Sequence, residues 1–478
     1  MLLGCIVVIA ATLRLLRLGA KSFWVDEATS YAIAHLDWNG LFDVLLHERA
    51  NMALYLTALH VWLRLGTSED VIRGLSVIVS VATVPLFYVL AKRLFGARVG
   101  LTAALLLAVN GYHIWHAQDA RSYSLLVFLV LLSFLFLYRG IERSSSTAEH
   151  AERVGSSFFK NSRWDWGGYV VTSVLAIYSH FISLLVLPAH VAAAACLGWS
   201  AVGRRRLIAS LSAIALLALP LVALIITGDL NKAVWIPQTR PRYVVSLFVA
   251  FAGKGGWPLL LGYSIFILLP LAHTARTHPT SVEGRRVLSL LAWLAVPIAL
   301  ALGISVIKPM FVHRYLLIAF PAFVLLASLG LSRLPFRWIR TAALIGLLGL
   351  TSPGILNSYT DPREDWRGAS QYILAHARVG DAAVFDVAVG RRLFDYYRDN
   401  SHAGVAPEVV FPTDPEYWVT DAQPNDGLAG TLAPRFERVW LVRWQGSRTL
   451  EAPLASLYDE VTGRSFLGLT VFLYSSRR

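Results

Sequence analysis

The chain has 478 residues and a formal net charge of +13, with 56% hydrophobic and only 15% charged residues and a mean hydropathy of +0.56. A soluble globular chain carries about 25% charged residues, so the composition excludes that class. Apolar runs near the ~20 residues that cross hydrocarbon identify a polytopic α-helical membrane protein. The basic charge is spread over many short loops without an aromatic–basic surface motif, which fits anchoring to anionic lipid head groups and not nucleic-acid binding.

The first apolar run, residues 1–18, resembles a signal peptide, but it lacks a small-residue cleavage site and Arg14 and Arg17 follow its core, so an uncleaved first helix is expected. Directly after it comes Lys21-Ser22-Phe23-Trp24-Val25-Asp26-Glu27-Ala28-Thr29, with Trp24 suited to the lipid–water boundary. Two adjacent carboxylates, Asp26 and Glu27, so close to hydrocarbon mark a functional site by default, although acids in a first loop are also often only solvated. Residues 52–65 are apolar but short for a span. Further apolar runs are expected as spans near 71–92, 97–115, 119–138, 166–182, 183–200, 206–227, 245–275, 286–307, 312–332 and 336–355.

The positive-inside rule orients these spans. Lys92-Arg93…Arg98, Arg139…Arg143, Arg204-Arg205-Arg206, Arg276…Arg286 and Arg333…Arg337 all face the cytoplasm only if 52–65 lies in the interface. The result is about eleven spans, the N-terminus inside and the C-terminal region outside. Asp26-Glu27, Gln118–Arg121, Tyr178–His180, the 228–244 loop and Lys308–Tyr315 then share the outer face. Cys5 and Cys196 both lie in apolar runs and suggest neither a disulfide nor a thiolate metal site. Arg greatly outnumbers Lys and Ala is abundant, the coding bias of a GC-rich bacterium, which places the chain in a bacterial inner membrane.

Residues 139–165 are polar, Ser-rich and charged, and are expected to form a flexible cytoplasmic linker. The expected domains are 1–356 in the membrane, with an outer loop at 19–70, and a small extracytoplasmic α/β domain at 357–478. In the latter, 364–377 has helical spacing, while 382–387, 439–442 and 467–474 have strand character. There is no GxGxxG after the first strand, so nucleotide binding is not supported.

Two further polar clusters occupy the outer side. His116-Ala117-Gln118-Asp119-Ala120-Arg121-Ser122-Tyr123 packs many polar side chains into one hairpin junction, where the bland alternative is a surface ion pair beside interfacial anchors. Lys308-Pro309-Met310-Phe311-Val312-His313-Arg314-Tyr315 offers a planar guanidinium fork and an ammonium point charge for a phosphate, the alternative being snorkelling at a helix end. His180, between Ser179 and Phe181 at a helix break, reads as structural more readily than catalytic. No HExxH, paired-His or Cys cluster appears, so no metal is expected. Together these residues imply a general base that activates an acceptor hydroxyl and basic groups that stabilise a phosphate leaving group.

Phe23-Trp24-Val25-Asp26-Glu27-Ala28 resembles the acidic first-loop motif of the polyprenol-phosphate-sugar-dependent C-type membrane glycosyltransferases, the protein O-mannosyltransferase and aminoarabinose transferase families. The resemblance continues through Ile72-Arg73-Gly74-Leu75-Ser76, Ala91-Lys92-Arg93-Leu94-Phe95-Gly96, His113–Tyr123, Arg314-Tyr315…Pro321 and Asp365-Trp366-Arg367-Gly368. It is strongest over residues 20–140. It implies a multi-span glycosyltransferase with Asp26 as base for the acceptor and Glu27 shaping the site. Arg314, Lys308, Arg121 and Tyr315 would serve the donor lipid phosphate, with Gln118, Asp119, Tyr123 and His180 as further site candidates. The donor implied is a polyprenyl-phosphate sugar, possible mannose included, and the acceptor a protein, glycolipid or glycan; no cofactor or metal is implied. One departure is Asn51-Met52-Ala53-Leu54-Tyr55, where the families often have a Pro-Pro-Leu turn. A lipid-linked sugar flippase would use the same phosphate contacts, but would want polar residues at mid-span and repeated halves, neither of which is seen. An inert membrane anchor for a partner-binding outer domain leaves the Asp26 and Arg121 clusters unexplained.

Overall fold

The computed structural model describes residues 1–47, 51–150, 157–227, 236–276, 279–401, 404–413, 427–444 and 450–476. Residues 228–235 of the expected outer loop and 151–156 of the expected linker lie outside these. The chain divides into two compact units, one of 1–16, 42–57 and 73–360, the other of 17–41, 58–72 and 361–478.

The first unit is helical. Among the described residues, six helices are long and apolar enough to cross a membrane: Glu69–Phe95, Tyr123–Ser144, Ala201–Ile226, Gly256–Arg276, Val282–Ile307 and Arg337–Thr360. Shorter apolar helices include Leu2–Leu15, Ala97–Ala108, Pro241–Phe251 and Phe320–Ser332. Several continuous apolar runs are broken, each by an identifiable local device. The run at 97–115 breaks where Asn110 caps Gly111–Ala117, its side chain accepting from the His113 amide at 3.0 Å. The run at 245–275 breaks at Gly253-Lys254-Gly255-Gly256, where Gly253 and Lys254 both adopt positive φ, 110° and 60°. The run at 312–332 begins as a 3₁₀ helix, His313–Ile318, before Phe320–Ser332.

Hydrocarbon offers no water to satisfy polar groups, and several of those buried in this unit find partners in protein. Trp293, stacked on Phe134 at 3.7 Å, donates Nε1–H to the Ile318 carbonyl at 2.8 Å. His190 lies between the hydroxyls of Ser133 and Tyr169, 3.1 Å from each. A Cβ on Gly330 would lie 1.7 Å from the Phe266 carbonyl oxygen, so glycine is what lets the Gly256–Arg276 and Phe320–Ser332 helices meet.

Arg14 does not flank the first helix as expected but is fully buried in it. Its Nε donates to Ser80 Oγ, its Nη1 to the Ala10 and Ala108 carbonyls, and its Nη2 to Leu107 O and, at 2.8 Å, His113 Nδ1. Four of these five acceptors lie outside the first helix, so one guanidinium staples it to the elements that carry the candidate site. The linker expected at 139–165 is also corrected: its described parts are helical, continuing Tyr123–His150 and opening Ser157–Ser179. Asp165 is buried there and pairs with Arg139 at 2.8 Å and with Arg143, which supplies the order that composition alone does not suggest.

The second unit is built on a five-stranded sheet of β1 (Ala382–Phe385), β2 (Glu408–Phe411), β3 (Arg438–Trp444), β4 (Glu460–Phe466) and β5 (Leu469–Ser475), in the order β2-β1-β3-β5-β4. β1 runs parallel to β2 and β3, whereas β3–β5 and β5–β4 are antiparallel. β1 is buried at every position, as expected of a central strand in a parallel arrangement. The helices Trp366–His376 and Gly390–Asp399 belong to this unit, as does Val25–Ala34, which carries the acidic pair.

Candidate functional site

Asp26 and Glu27 occupy the first turn of Val25–Ala34, where the exposed amides and the helix dipole favour carboxylates. Their environments differ. Glu27 is completely buried and its Oε2 accepts from Arg363 Nη1 at 2.7 Å, while Asp26 is only partly buried. The Arg363 guanidinium also lies over the Trp24 ring, 5.9 Å from its centroid, so it bridges the aromatic and acidic parts of the motif.

The motif Asp365-Trp366-Arg367-Gly368 holds this acidic loop in place. Asp365 caps its own helix by accepting from Gly368 N at 2.9 Å, and Arg367 N donates to Ser22 Oγ at 3.2 Å. Arg367 Nη2 donates to the carbonyls of Gly19, at 2.7 Å, and Lys21, at 3.2 Å, and pairs with Glu69. Burial opposes the Arg367 charge, but the charges and hydrogen bonds of Glu69 and Tyr397 together outweigh it and raise the pKa above its ordinary value. Tyr397 donates to Glu69 at 2.5 Å and accepts the Phe23 amide at 2.8 Å; burial raises its pKa, so it stays a neutral donor. Arg392 adds a 2.7 Å bond to Thr29 Oγ1. The backbone before Asp26 and the side chains of Glu27 and Thr29 after it are therefore held by side chains between 336 and 374 positions away in sequence.

In the first unit, the residues expected at the phosphate subsite assemble on a run of aromatic and imidazole rings. Tyr112 meets His116 at 4.7 Å, His116 meets Tyr123 at 5.0 Å, Tyr123 meets His180 at 6.3 Å, and His180 meets Tyr315 at 4.9 Å. Cations border this run. Arg121 lies 6.0 Å from the Tyr123 ring centroid and Arg314 5.7 Å from that of Tyr315. Both are within electrostatic reach of His180. Asp119, fully buried, accepts from His116 Nδ1 at 3.0 Å, which sets the imidazole tautomer.

Sequence reasoning missed Lys254. Its ammonium stands 3.8 Å from the Trp115 ring centroid, and with Arg314 it acts electrostatically on His116. Glycine packing places it there: a Cβ on Gly111 would come within 2.6 Å of the Gly253 carbonyl oxygen, and Asn110 Nδ2 donates to Phe251 O at 2.9 Å. A charged residue between glycines in the middle of an apolar run was the available clue. The remaining expected residues take other positions. Gln118 donates to the carbonyls of Arg14 and Leu16, at 3.0 and 2.9 Å, and so ties down the end of the first helix. His180 Nδ1 accepts the Ile182 amide at 3.3 Å and caps the turn that follows. Lys308 sits at the C-cap of Val282–Ile307. Among the described residues no group of three or more His, Cys, Asp or Glu is placed to hold a metal ion.

A family model described as dolichyl-phosphate-mannose-protein mannosyltransferase matches residues 48–148. No curated protein sequence matches. Among solved structures, ArnT from Cupriavidus metallidurans bound to undecaprenyl phosphate is similar with a TM-score of 0.67 at 13% identity, covering 98% of this chain and 97% of that one. The oligosaccharyltransferase AglB from Archaeoglobus fulgidus, in complex with an inhibitory peptide and a dolichol-phosphate, gives 0.54 at 12% identity over 92% of this chain and 69% of that one. The mycobacterial arabinofuranosyltransferase AftD gives 0.51 at 14%, covering 100% of this chain and 41% of that one. At such identities the structural likeness establishes the fold: that of the C-type membrane glycosyltransferases. The expected resemblance to the polyprenol-phosphate-sugar-dependent members is borne out by the family model and these neighbours together.

Proposed function

We propose that the chain is a bacterial inner-membrane glycosyltransferase that moves a sugar, mannose being one possibility, from a polyprenyl phosphate to an acceptor hydroxyl on the outer face. Asp26 takes the proton of the acceptor hydroxyl as its oxygen bonds to the anomeric carbon. The bond from that carbon to the phosphate oxygen breaks, and the lipid phosphate leaves with the electron pair. Arg314, Arg121 and Lys254 stabilise the charge on that phosphate, and Glu27 acts through Arg363 to position the loop. The step as written draws on side chains alone. Some of the shorter apolar helices are read as crossing the bilayer together with adjoining 3₁₀ segments, giving about eleven crossings. The C-terminal sheet is read as extracytoplasmic.

The observation that carries this reading is that Arg121 and Arg314 border one run of rings at Tyr123 and Tyr315, while Lys254, over Trp115, acts electrostatically on His116 of the same run. Guanidiniums match a phosphate bidentately, and an ammonium adds a point charge. The test is transfer in proteoliposomes supplied with polyprenyl-phosphate sugars and candidate acceptors, comparing wild type with Asp26→Asn and Arg121→Ala. Both variants are expected to lose transfer. Undiminished transfer by Asp26→Asn removes the base assignment, and sugar crossing the bilayer without transfer replaces the enzyme with a flippase.

A further inference from the structure

Two sets of arginines stand out on the side that charge counting assigns to the cytoplasm. One set is neutralised within the protein: Arg93 and Arg286 by Glu142 at 2.6 and 3.2 Å, Arg139 and Arg143 by Asp165, and Arg333 by Glu283 at 2.5 Å. A second set, Arg98, Arg337 and Arg340, has no carboxylate partner among the described residues. These three guanidiniums line a single cavity of about 430 Å³, together with the hydroxyls of Thr102, Ser332 and Thr341 and two leucines. The volume falls in the ordinary range of small-ligand sites.

Two more features indicate what fills it. Phe336 and Trp338 flank Arg337, are 59% and 67% exposed, and stack with ring centroids 6.4 Å apart. Exposed aromatics at the start of an apolar helix such as Arg337–Thr360 sit at the headgroup level of a bilayer. The cavity thus opens where lipid headgroups lie, and its three fork-shaped cations suit an anionic phosphodiester. We propose that the Arg98–Arg337–Arg340 cavity binds the headgroup of an anionic phospholipid, a site separate from the residues assigned to transfer chemistry.

The test uses the full-length protein extracted in mild detergent, equilibrated with equimolar phosphatidylglycerol and phosphatidylcholine, freed of excess lipid, and analysed for retained lipid by mass spectrometry. Wild type is expected to retain phosphatidylglycerol over phosphatidylcholine by about tenfold or more, given the contribution of each basic residue near anionic headgroups. Replacing Arg98, Arg337 and Arg340 together by Gln is expected to bring the ratio near one. The control replaces Arg204, Arg205 and Arg206 by Gln, removing the same charge elsewhere, and is expected to leave the ratio unchanged. The single Arg340→Gln variant, expected to lower the ratio about threefold, serves should the triple variant not fold. Equal retention of the two lipids by wild type overturns the site, as does full enrichment in the Arg98 triple variant. Equal loss in both triple variants reduces the effect to bulk charge and overturns it too. If inorganic phosphate or undecaprenyl phosphate displaces phosphatidylglycerol through the same arginines, the occupant is a phosphomonoester and the phospholipid assignment fails.

Discussion

The acidic loop and the ring-lined cluster handle charge near hydrocarbon in opposite ways. In the loop, a fully buried carboxylate, Glu27, is matched by one nearly buried guanidinium, Arg363. In the cluster, Arg121, Arg314 and Lys254 lie beside aromatic rings on partly buried surface, where ring quadrupoles add to the stabilisation of a cation. The first arrangement suits fixed geometry and the second suits a site that receives an anion. It follows that replacing Glu27 or Arg363 should disturb structure, whereas replacing Asp26 or the cluster cations should disturb chemistry or binding at intact structure.

The largest effect is expected at Asp26. Asp26→Asn should lower the turnover number about 10³-fold, within the range for a general base, with donor KM changed less than about threefold and an unaltered melting temperature. A large rise in donor KM in place of a turnover defect would move Asp26 into the binding machinery and dissolve the contrast. Arg363→Ala should come next, through stability. It strands the Glu27 carboxylate in a buried site, a loss of about 3–5 kcal/mol when one partner of a buried pair is removed. The double variant Glu27→Gln with Arg363→Met should recover much of that loss in denaturant unfolding. If it recovers nothing, the pair is not the structural element assigned here.

Smaller effects are expected in the cluster. Arg314→Gln and Lys254→Gln should each raise donor KM about 10–100-fold, the equivalent of one charge-assisted hydrogen bond of about 1.5–3 kcal/mol, with melting temperatures near wild type. A stability loss without a KM change would make Lys254 a packing residue of its glycine-flanked break and leave the phosphate to the arginines.

The sequence made the helical architecture legible because apolar runs near membrane length have few alternatives. The helix expected at 364–377 is found at Trp366–His376, and strands expected at 382–387, 439–442 and 467–474 are found as β1, β3 and β5. What hydropathy missed were interruptions inside runs, since averaging over a window hides a single cap such as Asn110 or two positive-φ residues such as Gly253 and Lys254. β4 was missed because its residues are nearly all exposed at the sheet edge, leaving little of the alternation that marks a strand. At the candidate site, the carboxylate pair and the Arg314 motif were visible as dense local clusters. Arg363 was not, because its partner Glu27 lies 336 positions away and nothing local marks it. The Asp365–Gly368 motif was noticed only as a resemblance, and its hold on residues 19–23 is a tertiary fact.

The smallest expected effect concerns a third way of holding charge, in the sheet of the second unit. Asp386 is buried, and Trp444 N donates to both of its carboxylate oxygens, at 3.0 and 2.9 Å. Burial nevertheless dominates and pushes its pKa up to about 7 from an ordinary 3.8. The folded state thus holds a proton that the unfolded chain releases near 3.8. Its contribution to stability is complete below that pH and is lost as pH rises through about 7, beyond which both states are ionised and the slope ends. Hydrogen-exchange protection of β1 and β3 amides in the full-length protein, corrected for intrinsic rates, should therefore fall between about pH 5 and about pH 7.5. Asp386→Asn keeps an acceptor for the Trp444 amide but cannot ionise, so the same comparison should be nearly flat. An identical fall in the variant would show that another group governs the pH response, and that the Trp444 amide matches the Asp386 charge as fully as Arg363 matches Glu27.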